Sequence, residues 1–326
     1  MTLNIAENIW VFPIVLPDNP LKWLNCYVIK DREGGRDLII DSGFNQPACL
    51  SDLLSGMEEL GLRPENTDVF FTHAHADHTG NAAALRKMGC RLMMGRIDYE
   101  YMRSAPWERG LRHKGEEGVP EKMLQEINSK SAGDWLMSAP FEAALLEEGD
   151  CLKYGGHKLR CILTPGHTPG HLCLYDKEHR LMFSGDHVLF DITPNIAAAD
   201  FEDDILGSYM DSLLKIQLYP VELTLPAHRT TGEISFSRRV DELYRHHLER
   251  LSEAERIVSE NPGISCYDLA GHMSWSIRAD SWENFPVGQK WFATGEALAH
   301  LIYLVRRGRV ERRIDASGVA RYRKLS

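Results

Sequence analysis

Phe70-Phe71-Thr72-His73-Ala74-His75-Ala76-Asp77-His78-Thr79-Gly80-Asn81 is the stretch on which the reading of this chain turns. Its apolar start ends a strand and Thr79-Gly80-Asn81 opens a helix, so four metal-competent side chains fall in one strand-to-helix loop. A single histidine is more often a satisfied polar group than a ligand. Four such groups within six residues, spaced by small alanines, are different, because packed without a cation they would carry an uncompensated desolvation cost and repel one another on protonation. The spacing predicts a metal site.

Three further stretches have the same strand-end character: Thr164-Pro165-Gly166-His167-Thr168-Pro169-Gly170, Phe183-Ser184-Gly185-Asp186 and Leu225-Pro226-Ala227-His228. Around them, strand candidates Ile9–Leu16, Asn25–Lys30, Asp37–Asp41, Asp68–Thr72, Leu159–Thr164, His171–Tyr175, Leu181–Ser184 and Glu222–Pro226 alternate with helical stretches. Two of these helices, Ala48–Leu60 and Asn81–Met88, are closed by Gly61 and Gly89. Alternation of this kind predicts a layered α/β architecture. Arg96 to Ala143 breaks the rhythm with aromatic, Met and charged residues at helical spacing, and reads as a helical insertion of the sort that roofs a site.

From Phe201 the pattern turns to long helices, Asp204–Leu218 and Phe236–Ser259, halting at Asn261-Pro262-Gly263. A boundary near Val240 gives one domain over 1–240 and a second over 241–326. The second reads as a helix at Cys266–His272, an aromatic connection, a helix over Gly295–Arg307 and a hairpin turning at Ala316-Ser317-Gly318, the element order of a winged helix-turn-helix. Trp275, Trp282, Phe285, Trp291 and Phe292 crowd this region, either as its core or, with Trp107 and Trp135, as the lining of a substrate channel. Eight basic residues between Arg306 and Ser326 face only Glu311 and Asp315. They form either a phosphate-facing wing or a solvated hairpin whose arginines pair with the acidic first domain.

Bulk properties narrow the choice of function. A net charge of −10 over 326 residues disfavours a protein that coats nucleic acid, so a small-molecule substrate is the default. Seven scattered cysteines without a C-x-x-C pair fit a reducing cytosol. Met1 to Pro17 has no basic leader and no apolar run reaches the roughly 18 to 20 residues of a span, which predicts a cytoplasmic protein without a membrane anchor.

In the order His-x-His-x-Asp-His, His, Asp, His, the four stretches resemble the motif set of the metallo-β-lactamase superfamily. Leu38-Ile39-Ile40-Asp41-Ser42-Gly43 belongs to the same match. The resemblance implies an αββα sandwich with a small C-terminal winged-helix domain, in the branch of β-lactamase-like protein 2 and glyoxalase II. It implies that His73, His75 and His167 hold one divalent ion, that Asp77, His78 and His228 hold a second, and that Asp186 bridges them. Zinc is the first expectation, with iron and manganese accepting the same ligands. Hydroxide shared by two ions would attack an ester, thioester or related bond, with Asp77 orienting or deprotonating the nucleophile. Short matches to the same branch make Asn195 and Tyr209 substrate-site candidates; His187, directly after Asp186, is a third, and the basic hairpin could steer an anionic substrate such as an acyl-CoA or an RNA end.

Two departures stand out: Ala227 where many members have Gly, and His187 where thioesterase-like members often have Thr. The rival readings are an endoribonuclease, a mononuclear iron dioxygenase, and a metal-sensing regulator that binds DNA through its C-terminal domain. Flavodiiron proteins resemble the fold but typically carry a carboxylate at the position of His75 and an added flavodoxin domain.

Overall fold

The structure, a computed structural model, describes residues 1–104, 106–129, 138–276 and 281–325. A seven-stranded sheet runs in sequence order from β1 (Leu3–Ala6) through β2 (Ile9–Val15), β3 (Trp23–Ile29), β4 (Asp37–Ile40), β5 (Thr67–Phe71) and β6 (Arg91–Gly95) to β7 (Ala144–Leu146). It is antiparallel up to β4 and parallel from β4 onward. A second sheet of five strands comprises β8 (Cys151–Tyr154), β9 (His157–Leu163), β10 (Leu172–Asp176), β11 (Leu181–Gly185) and β12 (Leu223–Pro226), with only the β11–β12 pair parallel.

The side-chain alternation of the strands builds two cores. Tyr27, Leu38, Ile40, Phe70 and Met93 pack with Leu159, Leu172, Leu174 and Phe183 of the second sheet. Val28, Ile39, Val69 and Phe71 point to the opposite face of the first sheet. There they meet Leu53 and Met57 of α1 (Pro47–Glu59) and Leu85, which follows the short α2 (Ala76–Thr79) in α3 (Ala82–Met88). Strands buried on both faces explain why this part of the sequence reads as short continuous apolar runs. The architecture is mixed α/β, consistent with an αββα sandwich.

The eight strand candidates and both early helices are present, and Gly61 and Gly89 close those helices in the left-handed region at φ of 64° and 104°. Sequence patterning missed β1, β6, β7 and β8. β7 is only three residues long, and β6 begins two residues after the Gly89 cap with Arg91 exposed, so neither carries a clear period.

Two compact units emerge from the fold. The first holds Met1–Ser104, the strands from β7 onward as far as Pro194, and Leu214–Val240. The second is assembled from three stretches instead of 241–326 alone. It takes α5 (Pro106–Glu116) and α6 (Glu121–Ser129), then Asn195–Leu213, then everything from Asp241. α4 (Arg96–Arg103) stays with the first unit, while α7 (Ile205–Ile216) and α8 (Phe236–Glu260) run across the dividing positions.

Inside the second unit, α9 (Cys266–His272), α10 (Val287–Arg306) and a hairpin of β13 (Val310–Ile314) and β14 (Ala320–Lys324) follow α8. Trp291 of α10 packs with Val119, Met123 and Ile127, and its ring lies 5.1 Å from that of Trp107, so both indoles belong to this unit's core. Trp282 and Phe285 pair at 5.2 Å. Trp135 lies outside the described residues. Among the described residues no helix is long and apolar enough to cross a membrane.

Candidate metal centre

The donor-bearing loops leave the C-terminal ends of β5, β9, β11 and β12, all within the first unit. His73, His75 and His167 form one triplet whose donor atoms lie within 4.8 Å of one another; Asp77, His78 and His228 form another, and His73, His78 and Asp186 link the two. His228 Nε2 is 3.3 Å from Asp77 Oδ2 and 3.4 Å from Asp186 Oδ1, while His167 Nε2 is 3.5 Å from Asp186 Oδ2. Residues separated by more than 150 positions in sequence thus converge on one small space.

Each ring is aimed by a partner on its far side. Asp41 accepts from His78 Nδ1 at 2.8 Å, and also from Thr72 N and Thr72 Oγ1 at 2.9 Å. Because the Thr72 hydroxyl donates to Asp41, it can only accept from His73 Nδ1, 3.0 Å away, which leaves His73 Nε2 as the lone-pair nitrogen. His228 Nδ1 donates to Trp23 O at 3.0 Å, with the same result. His171 Nδ1 lies 2.8 Å from Thr164 Oγ1 while its Nε2 accepts from Asp186 N at 3.2 Å, so it steadies the acid at the centre. Gly185, at φ 50°, is required there, since a Cβ would sit 2.5 Å from His171 Nε2.

The electrostatics follow from burial and from carboxylates. Burial and the neighbouring His167 push His75 down to about 3, and burial with His78 holds His73 well below the usual range. Burial also opposes charge on His78, but Asp41, Asp77 and Asp186 outweigh it and lift it to about 10. His228 is raised in the same sense by Asp186 and Asp77 against its burial. Burial works against ionised Asp77, yet His78 and His228 hold it below the usual carboxylate range.

A cation suits this arrangement. Nε2 of His78, Nε2 of His228 and Oδ1 of Asp186 are buried without a hydrogen-bond partner among the described residues. Bare buried polar atoms cost about 1–3 kcal/mol each, and lone pairs aimed at a shared divalent ion would remove that cost.

All seven donors named from sequence are therefore together in space. Of the substrate candidates, His187 is buried directly after Asp186 in the first unit, and Asn195 and Tyr209 belong to the second, where Tyr209 lies 5.3 Å ring-to-ring from His247. Asp41, Thr72, His171 and Asp98 around the donors were not singled out from sequence as site residues. Asp41 alone carried a signal, as part of the Leu38–Gly43 match.

Residues 24–228 match the family model described as "Metallo-beta-lactamase superfamily". The chain belongs to the metallo-beta-lactamase superfamily. Together with its thioesterase-named relatives, that membership supports a hydrolase enzyme. Residues 284–325 match a second model, "Metallo-beta-lactamase-like, C-terminal domain". A crystal structure of a metallo-beta-lactamase family protein from Thermus thermophilus is 25% identical at a TM-score of 0.80, covering 98% of this chain and 99% of that one. A beta-lactamase domain protein from Burkholderia ambifaria is 27% identical at a TM-score of 0.85, covering 99% and 94%. Among curated relatives, an acyl-coenzyme A thioesterase from Gallus gallus is 29% identical over 50% of this chain and 57% of its own length. An atrochrysone carboxyl ACP thioesterase from Aspergillus aculeatus is 28% identical over 64% of this chain and 51% of its own. The chain spans 51% of the second of these superfamily relatives and 57% of the first.

Proposed function

We propose that the chain hydrolyses an acyl thioester or a related small-molecule ester. His73, His75 and His167 would hold one divalent ion, Asp77, His78 and His228 a second, and Asp186 both. The observation that carries this reading is the convergence on one space of seven donors, five of them buried and His75 and His167 partly buried, with three atoms lacking a hydrogen-bond partner among the described residues. The thioesterase names of the relatives support a thioester over a lactam or phosphodiester. Imidazole and carboxylate donors suit zinc first, and iron or manganese next.

When bound, two such ions supply a water acidified toward neutrality and positive charge facing a carbonyl oxygen. The protein's part is positional. Asp77, ionised and next to His228, is the group able to orient the attacking water and take its proton. Asp41 and Trp23 O hold His78 and His228 so that their lone pairs face inward, and His171 fixes Asp186. The winged-helix reading of the second unit rests on its order of α8, α9, α10 and hairpin. A cytosolic seat rests on seven free cysteines.

The deciding experiment offers acyl-CoA and acyl-pantetheine thioesters, a lactone, a cephalosporin and single-stranded RNA to protein loaded with zinc, manganese or iron. Metal-dependent thiol release from the thioesters at the highest kcat/KM supports the proposal. Cleavage of RNA alone would move the assignment to the endoribonuclease reading, and oxygen uptake with one iron per chain to the dioxygenase.

A further inference from the structure

Asp98 sits in the first turn of α4, fully buried, with no cation paired to it among the described residues. Its two oxygens take three donors from two loops. Oδ2 accepts from Ala74 N at 2.9 Å and from Thr168 Oγ1 at 2.6 Å, and Oδ1 accepts from Gly170 N at 2.5 Å. Ala74 lies between His73 and His75, and Thr168 follows His167. One carboxylate therefore ties the loop that presents two histidines of a triplet to the loop that presents the third. The sequence around it is shaped for that contact. A Cβ on Gly170 would meet Asp98 N at 2.3 Å, and one on Gly95 would meet Gly170 O at 2.8 Å, so both glycines are needed for the loop to close on α4.

We propose that Asp98 is a positioning residue for the His73, His75 and His167 triplet, setting the distance between its two loops before any ion arrives. The inference rests on the metal reading above. A buried acid without a cation needs strong donors, and three of them on one carboxylate hold both loops at short range in fixed directions. An amide at this place keeps one acceptor and turns the other oxygen into a donor, which meets a backbone N–H head-on. One loop is then released while the side-chain volume is preserved.

Metal-free protein, with Asp98→Asn and Thr168→Ala beside the wild type, is titrated with cobalt(II) and followed by its visible ligand-field absorption, with thermal unfolding recorded by circular dichroism before metal is added. We expect Asp98→Asn to weaken one of the two cobalt equivalents about tenfold or more, Thr168→Ala to weaken the same equivalent less, and both metal-free variants to unfold cooperatively. Variants that bind both equivalents as tightly as the wild type overturn the role of Asp98 alone. So does loss of cooperative unfolding in both, since Asp98 would then serve the fold and not the triplet. Wild-type protein that takes up no cobalt would remove the metal reading itself, and this inference with it.

Discussion

Residues 73–78 and residues 306–324 are both dense in ionisable side chains, and they use their polar atoms in different ways. In the first, side chains from one loop and three distant strand ends aim at a common point, and three buried atoms there have no hydrogen-bond partner among the described residues. In the second, the basic groups spread outward and find local oxygens. Arg312 pairs with Glu117 at 2.8 Å, Arg307 with Asp204 at 2.7 Å and Arg321 with Asp315 at 2.7 Å; Arg309 and Lys324 meet Glu255, Arg313 meets Glu311, and Arg306 reaches Glu202 O. These are all partners within the second unit, so most of the hairpin's charge is answered at home. Convergence on unmet atoms marks a binding site, whereas charge density by itself does not.

The harshest test of that contrast removes its centre. Asp186→Ala is expected to lose about 10³-fold or more in kcat/KM together with bound metal, because in the proposed two-ion site the same carboxylate would offset repulsion between the cations. Elemental analysis beside kinetics checks this, and full metal content in an inactive variant would break the assignment of Asp186. Asp77→Asn is expected to cost about 10²–10³-fold in kcat with little change in melting temperature, since volume is preserved while the proposed ligand and proton acceptor is lost. Near-normal kcat would take Asp77 out of the chemistry.

On the other side of the comparison, Arg312→Ala should act on stability and not on substrate. Among the described residues it leaves the Glu117 carboxylate, 2% exposed, with the Tyr322 hydroxyl at 2.6 Å as its hydrogen-bond donor, and breaking a buried pair of this kind costs roughly 3–5 kcal/mol. Denaturant unfolding would show it. Lys114 is milder. Burial pushes this lysine, stacked 4.8 Å over Trp291, down to about 8. Its folded value lies below its unfolded one, so the unfolded chain binds the extra proton and stability rises as pH climbs from about 8 to the ordinary lysine range. Lys114→Met should therefore raise the melting temperature by a few degrees at pH 7, with the gain shrinking toward pH 10; a gain independent of pH would assign it to packing. The smallest effect belongs to Arg313→Glu, at a side chain 76% exposed. A change in kcat/KM for anionic substrates that fades with salt would restore electrostatic steering, and no change would leave the hairpin structural.

The same contrast explains how far the sequence could be read. Strands buried on both faces, such as Asp37–Ile40 and Thr67–Phe71, announce themselves by composition, and the donors by their crowding at strand ends. Asp98 could not announce itself, because it acts through Thr168, 70 positions away, and a single acid in Arg96-Ile97-Asp98-Tyr99 looks like any first-turn helix residue. His171 was read only as the start of a strand for the same reason, its partner Asp186 being 15 positions on. The three-part second unit was equally hidden, since nothing local in Trp107 or Leu111 says that the face they need is Trp291.

That three-part assembly sets a waiting time during synthesis. Trp107, Leu111 and Leu124 leave the ribosome long before Trp291 and Phe292, their eventual neighbours, have been made. Roughly 180 residues separate Trp107 from Trp291, and at about 5–20 residues per second the early helices stay without their cover for on the order of ten seconds or more. A nascent chain in that interval carries an aromatic surface with nothing of its own to put against it, the condition in which holding chaperones are recruited and neighbouring chains stick. The yield of soluble protein should then depend on translation speed and growth temperature, and a chain stopped at Val240 would remain in that interval for good.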